Sequence, residues 1–226
     1  SILLGKHLTT VLDKNYFPLV LGGDCSILIG ILSALKAKGS YGLIFYDAHA
    51  DFYEPEKSIT GEVADMDLAI VTGRGPEILT DINGLHPYVA DEHVIHIGQR
   101  DWEETRKYGS RDIRETVIRC FDHESINKSG TTRTIQKITH AMNAIHVDGF
   151  WIHFDTDVLS DEENPAVDYR LPGGLSSERC EQLLRGVLST NKIIGMTVTI
   201  FNPTLDDEQG TVAKMLTNLL SRSLTC

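Results

Sequence analysis

Two short apolar runs, residues 41–46 and 149–154, each end in an acidic cluster: Asp47-Ala48-His49-Ala50-Asp51 after the first and Asp155-Thr156-Asp157 after the second. Short apolar runs set between stretches with helix-like apolar spacing read as strands buried on both faces. The pattern recurs along the chain. Strands are expected over residues 17–21, 41–46, 94–97, 150–154 and 193–200. Helices are expected over 26–38, 132–145, 177–188 and 210–221, with a charged segment at 101–114. Strands alternating with helices give an α/β fold, a mainly parallel sheet with helices on both faces. Ligands of such sheets bind beyond the carboxyl ends of the strands, where both acidic clusters fall. Residues two apart on a strand point the same way, so Asp47, His49 and Asp51 can face one point, as can Asp155 and Asp157. Hard and borderline donors gathered in one crevice can hold more than one divalent cation.

The chain has 226 residues, 41% of them hydrophobic and 23% charged, which suits a single domain over residues 1–226 with an ample core. A formal charge of -11 argues against nucleic acid or an anionic membrane as partner and suits cation binding. No secretory signal opens the sequence, and Gly or charge interrupts every apolar stretch before the ~18 residues a membrane span needs. Cys25, Cys120, Cys180 and Cys226 lie far apart without CxxC spacing and read as free thiols. The expectation is a cytoplasmic protein acting on a small molecule. The segments 54–57 and 160–170 read as ordered functional loops.

Gly22-Gly23-Asp24-Cys25-Ser26, the Asp47–Asp51 cluster, Phe154-Asp155-Thr156-Asp157 and Asn202-Pro203 occur in order, each at a strand end. Together they resemble the successive signatures of the ureohydrolase superfamily, which comprises arginase, agmatinase and formiminoglutamase. The resemblance covers nearly the whole chain. It implies a three-layer α-β-α sandwich and two divalent metal ions, usually manganese, that activate a bridging hydroxide for attack on a guanidinium or amidine carbon. It also implies that Asp47, His49, Asp51, Asp155 and Asp157 are metal ligands, with Asp47 and Asp155 bridging. Asp51 is thereby placed in the catalytic machinery. The family is usually oligomeric, so a homo-oligomer is expected.

The departures from the family pattern carry their own expectations. Cys25 stands where the family has a histidine ligand, and a thiolate there would favour zinc or iron over manganese. A buried thiol that only fills space is the competing reading. Ala64 stands in place of a proton-shuttling histidine and Ile200 in place of the glutamate that grips the guanidinium. Glu62 and Asp65 become candidate general acids or bases, and Asp67 and Asp101 candidate substrate contacts. Arginine itself is then expected to be a poor substrate, and a less basic hydroxyguanidine or formimino compound a better one. A family strand that normally precedes the first Gly-Gly-Asp is not seen in the sequence, which would leave an unpaired sheet edge. His153 shares the strand face of Asp155 and reads as a hydrogen-bonded supporting residue. Trp102 and Trp151 are expected to pack. Two other readings remain open: a deacetylase-like amide hydrolase using one metal, and a non-catalytic member whose metal site has decayed.

Overall fold

The alternation of apolar runs and amphipathic stretches closes into one sheet. A computed structural model describes residues 2–225. The strands among them are β1 (Leu19–Leu21), β2 (Tyr41–Tyr46), β3 (Val94–Ile97), β4 (Arg119–Phe121), β5 (Gly149–Asp155) and β6 (Ile193–Thr199). All pair in parallel, in the order β1-β6-β5-β2-β3-β4. The helices are α1 (Ile2–Leu12), α2 (Ile27–Lys36), α3 (Asp67–Val71), α4 (Glu77–Thr80), α5 (Trp102–Tyr108), α6 (His123–Ser129), α7 (Thr131–Ala144), α8 (Ser177–Leu188) and α9 (Thr211–Leu224).

Side chains leave the strands with a period of two, so each strand feeds two cores. Ile44, Tyr46, Ile95, Ile97, Phe150, Ile152 and Phe154 face α7, α8 and α9. Leu43, Phe45, Val94 and Trp151 face α1, α2 and α3. The result is the expected three-layer α-β-α sandwich. Full burial of each large apolar side chain stabilises it by about 1.5–3 kcal/mol. Between β2 and β5 the register sets Tyr46 opposite Phe154. Asp47 and Asp155, the next residue of each strand, therefore leave the sheet side by side.

Some elements differ from expectation. The α1 helix lacks a clear sequence signal, because Gly5 and the β-branched Thr9-Thr10-Val11 run weaken it. Packing on α2 holds it: a Cβ on Gly5 would meet the Gly30 carbonyl oxygen at 2.8 Å. β4 is three residues long and only half-buried, too short for any periodicity. β1 is shorter than the apolar run, starting after Pro18, which has no N–H to donate. It forms one edge of the sheet, with Leu21 71% exposed. Trp151 is fully buried and donates its indole N–H to Thr197 Oγ1 at 2.7 Å. Trp102, expected to pack, is instead 41% exposed at the start of α5, under the Arg114 guanidinium. Cys25, Cys120 and Cys180 are free thiols; Cys226 lies outside the described residues. Among the described residues no helix is long and apolar enough to cross a membrane.

Candidate metal centre

The loops that follow β1, β2, β3, β5 and β6 meet at one end of the sheet, around a crevice of about 950 Å³. Each acidic cluster is shaped by its own first residue. Asp47 Oδ1 accepts the His49 backbone N–H at 2.6 Å, and Asp155 Oδ1 accepts that of Asp157 at 2.8 Å. Both are Asx turns, which fold the chain back so that alternate side chains converge. The two clusters are also tied to each other. Asp157 accepts the Ala48 N–H at 3.1 Å and pairs with His49 Nδ1 at 2.9 Å. Asp51 then turns the chain with φ 45°, a left-handed conformation that aspartate tolerates better than most side chains. From the β3 side, Arg100 N–H donates to the Ala48 carbonyl at 2.8 Å. The Arg100 side chain holds the carbonyls of Asp157, Leu159 and Leu171, joining the acidic cluster to the 159–171 loop.

Three groups of donor atoms result, each with its members within 4.8 Å of one another: Cys25, Asp47, His153 and Asp155; Cys25, Asp51 and Asp67; and Asp47, His49 and Asp157. Asp47 belongs to two of them. The carboxylates of Asp47, Asp51, Asp67, Asp155 and Asp157 are all buried, and His49 is the cationic side chain paired with them. Asp47 Oδ2 and both oxygens of Asp67 have no hydrogen-bond partner. Removing carboxylates from water costs several kcal/mol each unless a counter-charge compensates. Divalent cations supply that counter-charge, so this donor set fits them.

The electrostatics follow from the crowding. Burial and then the charge of Asp157 push Asp47 up to about 7. Burial and neighbouring carboxylates likewise hold Asp51, Asp67 and Asp155 well above the usual carboxylate range. Asp157 goes the other way: burial raises it, but the His49 charge and hydrogen bond more than offset this. His49 is raised because Asp157 outweighs its burial. Burial lowers His96 to about 4 and His153 to about 3, leaving both neutral.

A pH dependence follows for protein stripped by a chelator. Asp47 holds its proton to about pH 7 when folded and only to about 3.8 when unfolded, and Asp51, Asp67 and Asp155 are displaced the same way. His96 and His153, neutral when folded and protonated below 6.5 when unfolded, act in the opposite sense, but the four carboxylates outnumber them, so across that window the native state binds more protons and stability falls as pH rises. His49 acts in the same sense, since its raised pKa stabilises fully below 6.5 and is lost above its folded value. Chelated protein should therefore melt at progressively lower temperature as pH rises from about 4 to 7. Excess divalent ion, which binds the deprotonated carboxylates, should flatten the slope. A melting temperature that rises with pH in chelator would contradict this picture.

The structure gathers most of the residues expected at the site. Cys25, His49, Asp51, Asp155 and Asp157 line the crevice floor, and Asp47, fully buried, lies beneath it within 4.8 Å of donor atoms of Cys25, Asp155, His49 and Asp157. Cys25 is 1% exposed, and its thiol donates to Asp155 Oδ2 at 2.9 Å, so it is part of the cluster and more than inert filler. Glu62 lines the crevice beside Tyr169, whose hydroxyl it pushes up. Asp65 also lines it, but accepts from the Ser58 and Thr60 hydroxyls and so staples its own loop.

Other expectations need correction. Asp67, taken as a substrate contact, is fully buried and not part of the crevice wall; it lies behind Asp51. Asp101 reaches the wall, but its oxygens are engaged by the Ala50 N–H and the Gln99 amide, each at 3.0 Å. It braces the first acidic loop. The ring nitrogens of His153 have no hydrogen-bond partner, and the ring stacks on Phe45 at 4.7 Å between centroids. Sequence reasoning missed Asp168, Tyr169 and Leu171 as wall residues, although it marked the loop carrying the first two.

Comparison with known proteins agrees with this geometry. The family model described as "Arginase family" matches residues 3–225. The chain is 34% identical over 210 residues to an arginase of Staphylococcus aureus (strain COL), spanning 92% of this chain and 68% of that one. It is 31% identical to an arginase of Bacillus subtilis (strain 168), spanning 98% and 74%. A crystal structure of arginase from Bacillus subtilis superposes with a TM-score of 0.89 at 30% identity, covering 99% of this chain and 77% of that one.

Proposed function

Because this chain belongs to the arginase family, we propose that it is a metal-dependent hydrolase cleaving a linear C–N bond in a small guanidino, hydroxyguanidino or formimino compound with a cationic tail. The observation that carries this reading is the meeting of His49, Asp51, Asp155 and Asp157 on the floor of an open crevice with Asp47 buried beneath it, their donor atoms falling, with those of Cys25, into overlapping groups within 4.8 Å. These residues, with Cys25 beside them, would hold two divalent ions. Bound there, the ions would supply Lewis acidity and a water acidified for attack on a planar carbon. Manganese suits the oxygen-rich donor set.

The chain's own residues set which substrate enters. The crevice wall carries Asp24, Glu62, Asp65, Asp101, Glu104 and Asp168. Arg170 is its basic member, and its guanidinium is paired with Asp161. A wall of one sign attracts the opposite charge and repels its own. An amine tail is therefore favoured over an amino-acid tail, whose carboxylate would meet this acidic wall. Glu62, unlike Asp65, is not used to staple its loop, and it is the candidate to pass a proton to the leaving amine.

The test is to load the protein with manganese, zinc or iron in turn. Release of urea, ammonia or formamide is then assayed from paired amine and amino-acid forms of guanidino, hydroxyguanidino and formimino compounds. The amine form of the preferred group should exceed its amino-acid form in kcat/KM by about tenfold, roughly one charge contact of 1.4 kcal/mol. Equal or reversed preference would count against the charge argument. Cleavage of acetylated amines alone would replace the reading with a deacetylase.

A further inference from the structure

Asp67 is the one carboxylate of the cluster that neither the first acidic loop nor the second contributes. It opens α3 next to Asp51 and does not line the crevice. Its side chain is 0% exposed, neither oxygen has a partner in full hydrogen-bond geometry although the Leu68 N–H and the Asp51 carboxyl lie close, and a donor atom lies within 4.8 Å of both Cys25 and Asp51. A buried carboxylate with no well-aligned hydrogen bond, set against a second carboxyl, is costly, and folds retain such a group where a cation or a proton compensates it. Leu68 and Ala69 follow it directly in the core, so the backbone gives the side chain no route to water.

Cys25, by contrast, already has partners. Its sulfur donates to Asp155 Oδ2 at 2.9 Å and lies 3.2 Å from Thr199 Oγ1. Both residues compete for the same position beside Asp51. An oxygen donor there keeps the subsite hard, and a sulfur donor makes it soft.

Resting on the reading that this floor holds two divalent ions, we propose that Asp67 is a ligand of the ion beside Asp51. Cys25 then serves as a hydrogen-bond donor to Asp155 instead of as a ligand. The centre is thus oxygen-rich, with His49 as its nitrogen donor, and discriminates against soft metals.

The test reads metal content, not turnover. Intact protein and the Asp67→Asn and Cys25→Ser variants are stripped, reloaded with manganese and measured by elemental analysis and calorimetry. Cobalt-loaded wild-type protein is examined for a thiolate-to-cobalt charge-transfer band. Wild-type and Cys25→Ser should each hold two ions, Asp67→Asn should hold one or bind the second at least about tenfold more weakly, and the cobalt protein should lack the band. Asp67→Asn also removes a charge from the crowd, so stripped Asp67→Asn should melt no lower than stripped wild type, which a purely structural role would not produce. Two ions in Asp67→Asn at unchanged affinity, loss of an ion from Cys25→Ser, or a thiolate band in the wild type overturns the proposal. A wild-type protein that binds no divalent ion overturns the hydrolase reading instead. The cobalt spectrum needs no variant, so the ligand question is decided even if Asp67→Asn fails to fold.

Discussion

Asp47→Ala is expected to remove both ions at once and to lower turnover by about a thousandfold or more. The reason is positional. Asp47 belongs both to the group with Cys25, His153 and Asp155 and to the group with His49 and Asp157, so on the function proposed its carboxylate would serve both ions. Loss of both ions forfeits several kcal/mol of charge stabilisation in the transition state, and about 4 kcal/mol is a thousandfold in rate. Asp47 also shapes its loop by accepting the His49 N–H at 2.6 Å. Asp47→Asn separates the two roles, since an amide oxygen can still accept that bond while the charge is gone. Both variants should lose metal, and Asn should keep the wild-type secondary structure and melting behaviour of the stripped protein. Elemental analysis returning two ions per chain for Asp47→Asn would rule out a shared carboxylate. Asp155→Ala should behave similarly, because Asp155 emerges beside Asp47 from the neighbouring strand.

Ile200→Glu carries the second large effect, on specificity. Ile200 lies in the crevice wall with φ 70°, a conformation that β-branched residues rarely adopt, and its N–H donates to the Gly23 carbonyl at 2.8 Å. Backbone strain of this kind costs about 1–3 kcal/mol. An unbranched side chain relieves part of it, so the variant should not melt below wild type. By resemblance to the family, a glutamate at this position grips a guanidinium. A charged hydrogen bond is worth about 1.5–3 kcal/mol, so the variant should raise kcat/KM for guanidinium cations over neutral or less basic amidines by roughly tenfold to a hundredfold. Unchanged discrimination between the two substrate types would mean that Ile200 does not face the reacting group.

The residues that proved most legible in the sequence were those whose spacing fixes geometry. The strand-end rule placed the two clusters at the same end of the sheet, but what gathers Asp47, His49 and Asp51 is an Asx turn and a left-handed residue after β2 ends at Tyr46, instead of strand periodicity. Nothing in the linear chain states that β2 and β5 are neighbours with Tyr46 opposite Phe154, the register on which the joint site depends. The placement of Asp67 and Asp101 was not legible, for one physical reason. Proximity to a motif does not tell where a carboxylate ends up, and Asp67 opens α3, whose Ala69 N–H donates to the Asp51 carbonyl at 3.1 Å and so packs Asp67 into the core. Similarly, Asp101 bonds the Ala50 N–H in a loop brought near only by strand pairing. The α1 helix and β4 were illegible because packing and pairing sustain them, with little help from local propensity.

Anomalous diffraction at the manganese edge, from crystals of the intact protein grown with manganese, tests the central claim most directly. Two peaks per chain are expected at the base of the crevice, both in contact with the buried Asp47, one of them also beside Asp51 and the other beside His49 and Asp157. A well-ordered floor with no peak there, or with manganese bound only elsewhere on the acidic surface, would contradict it.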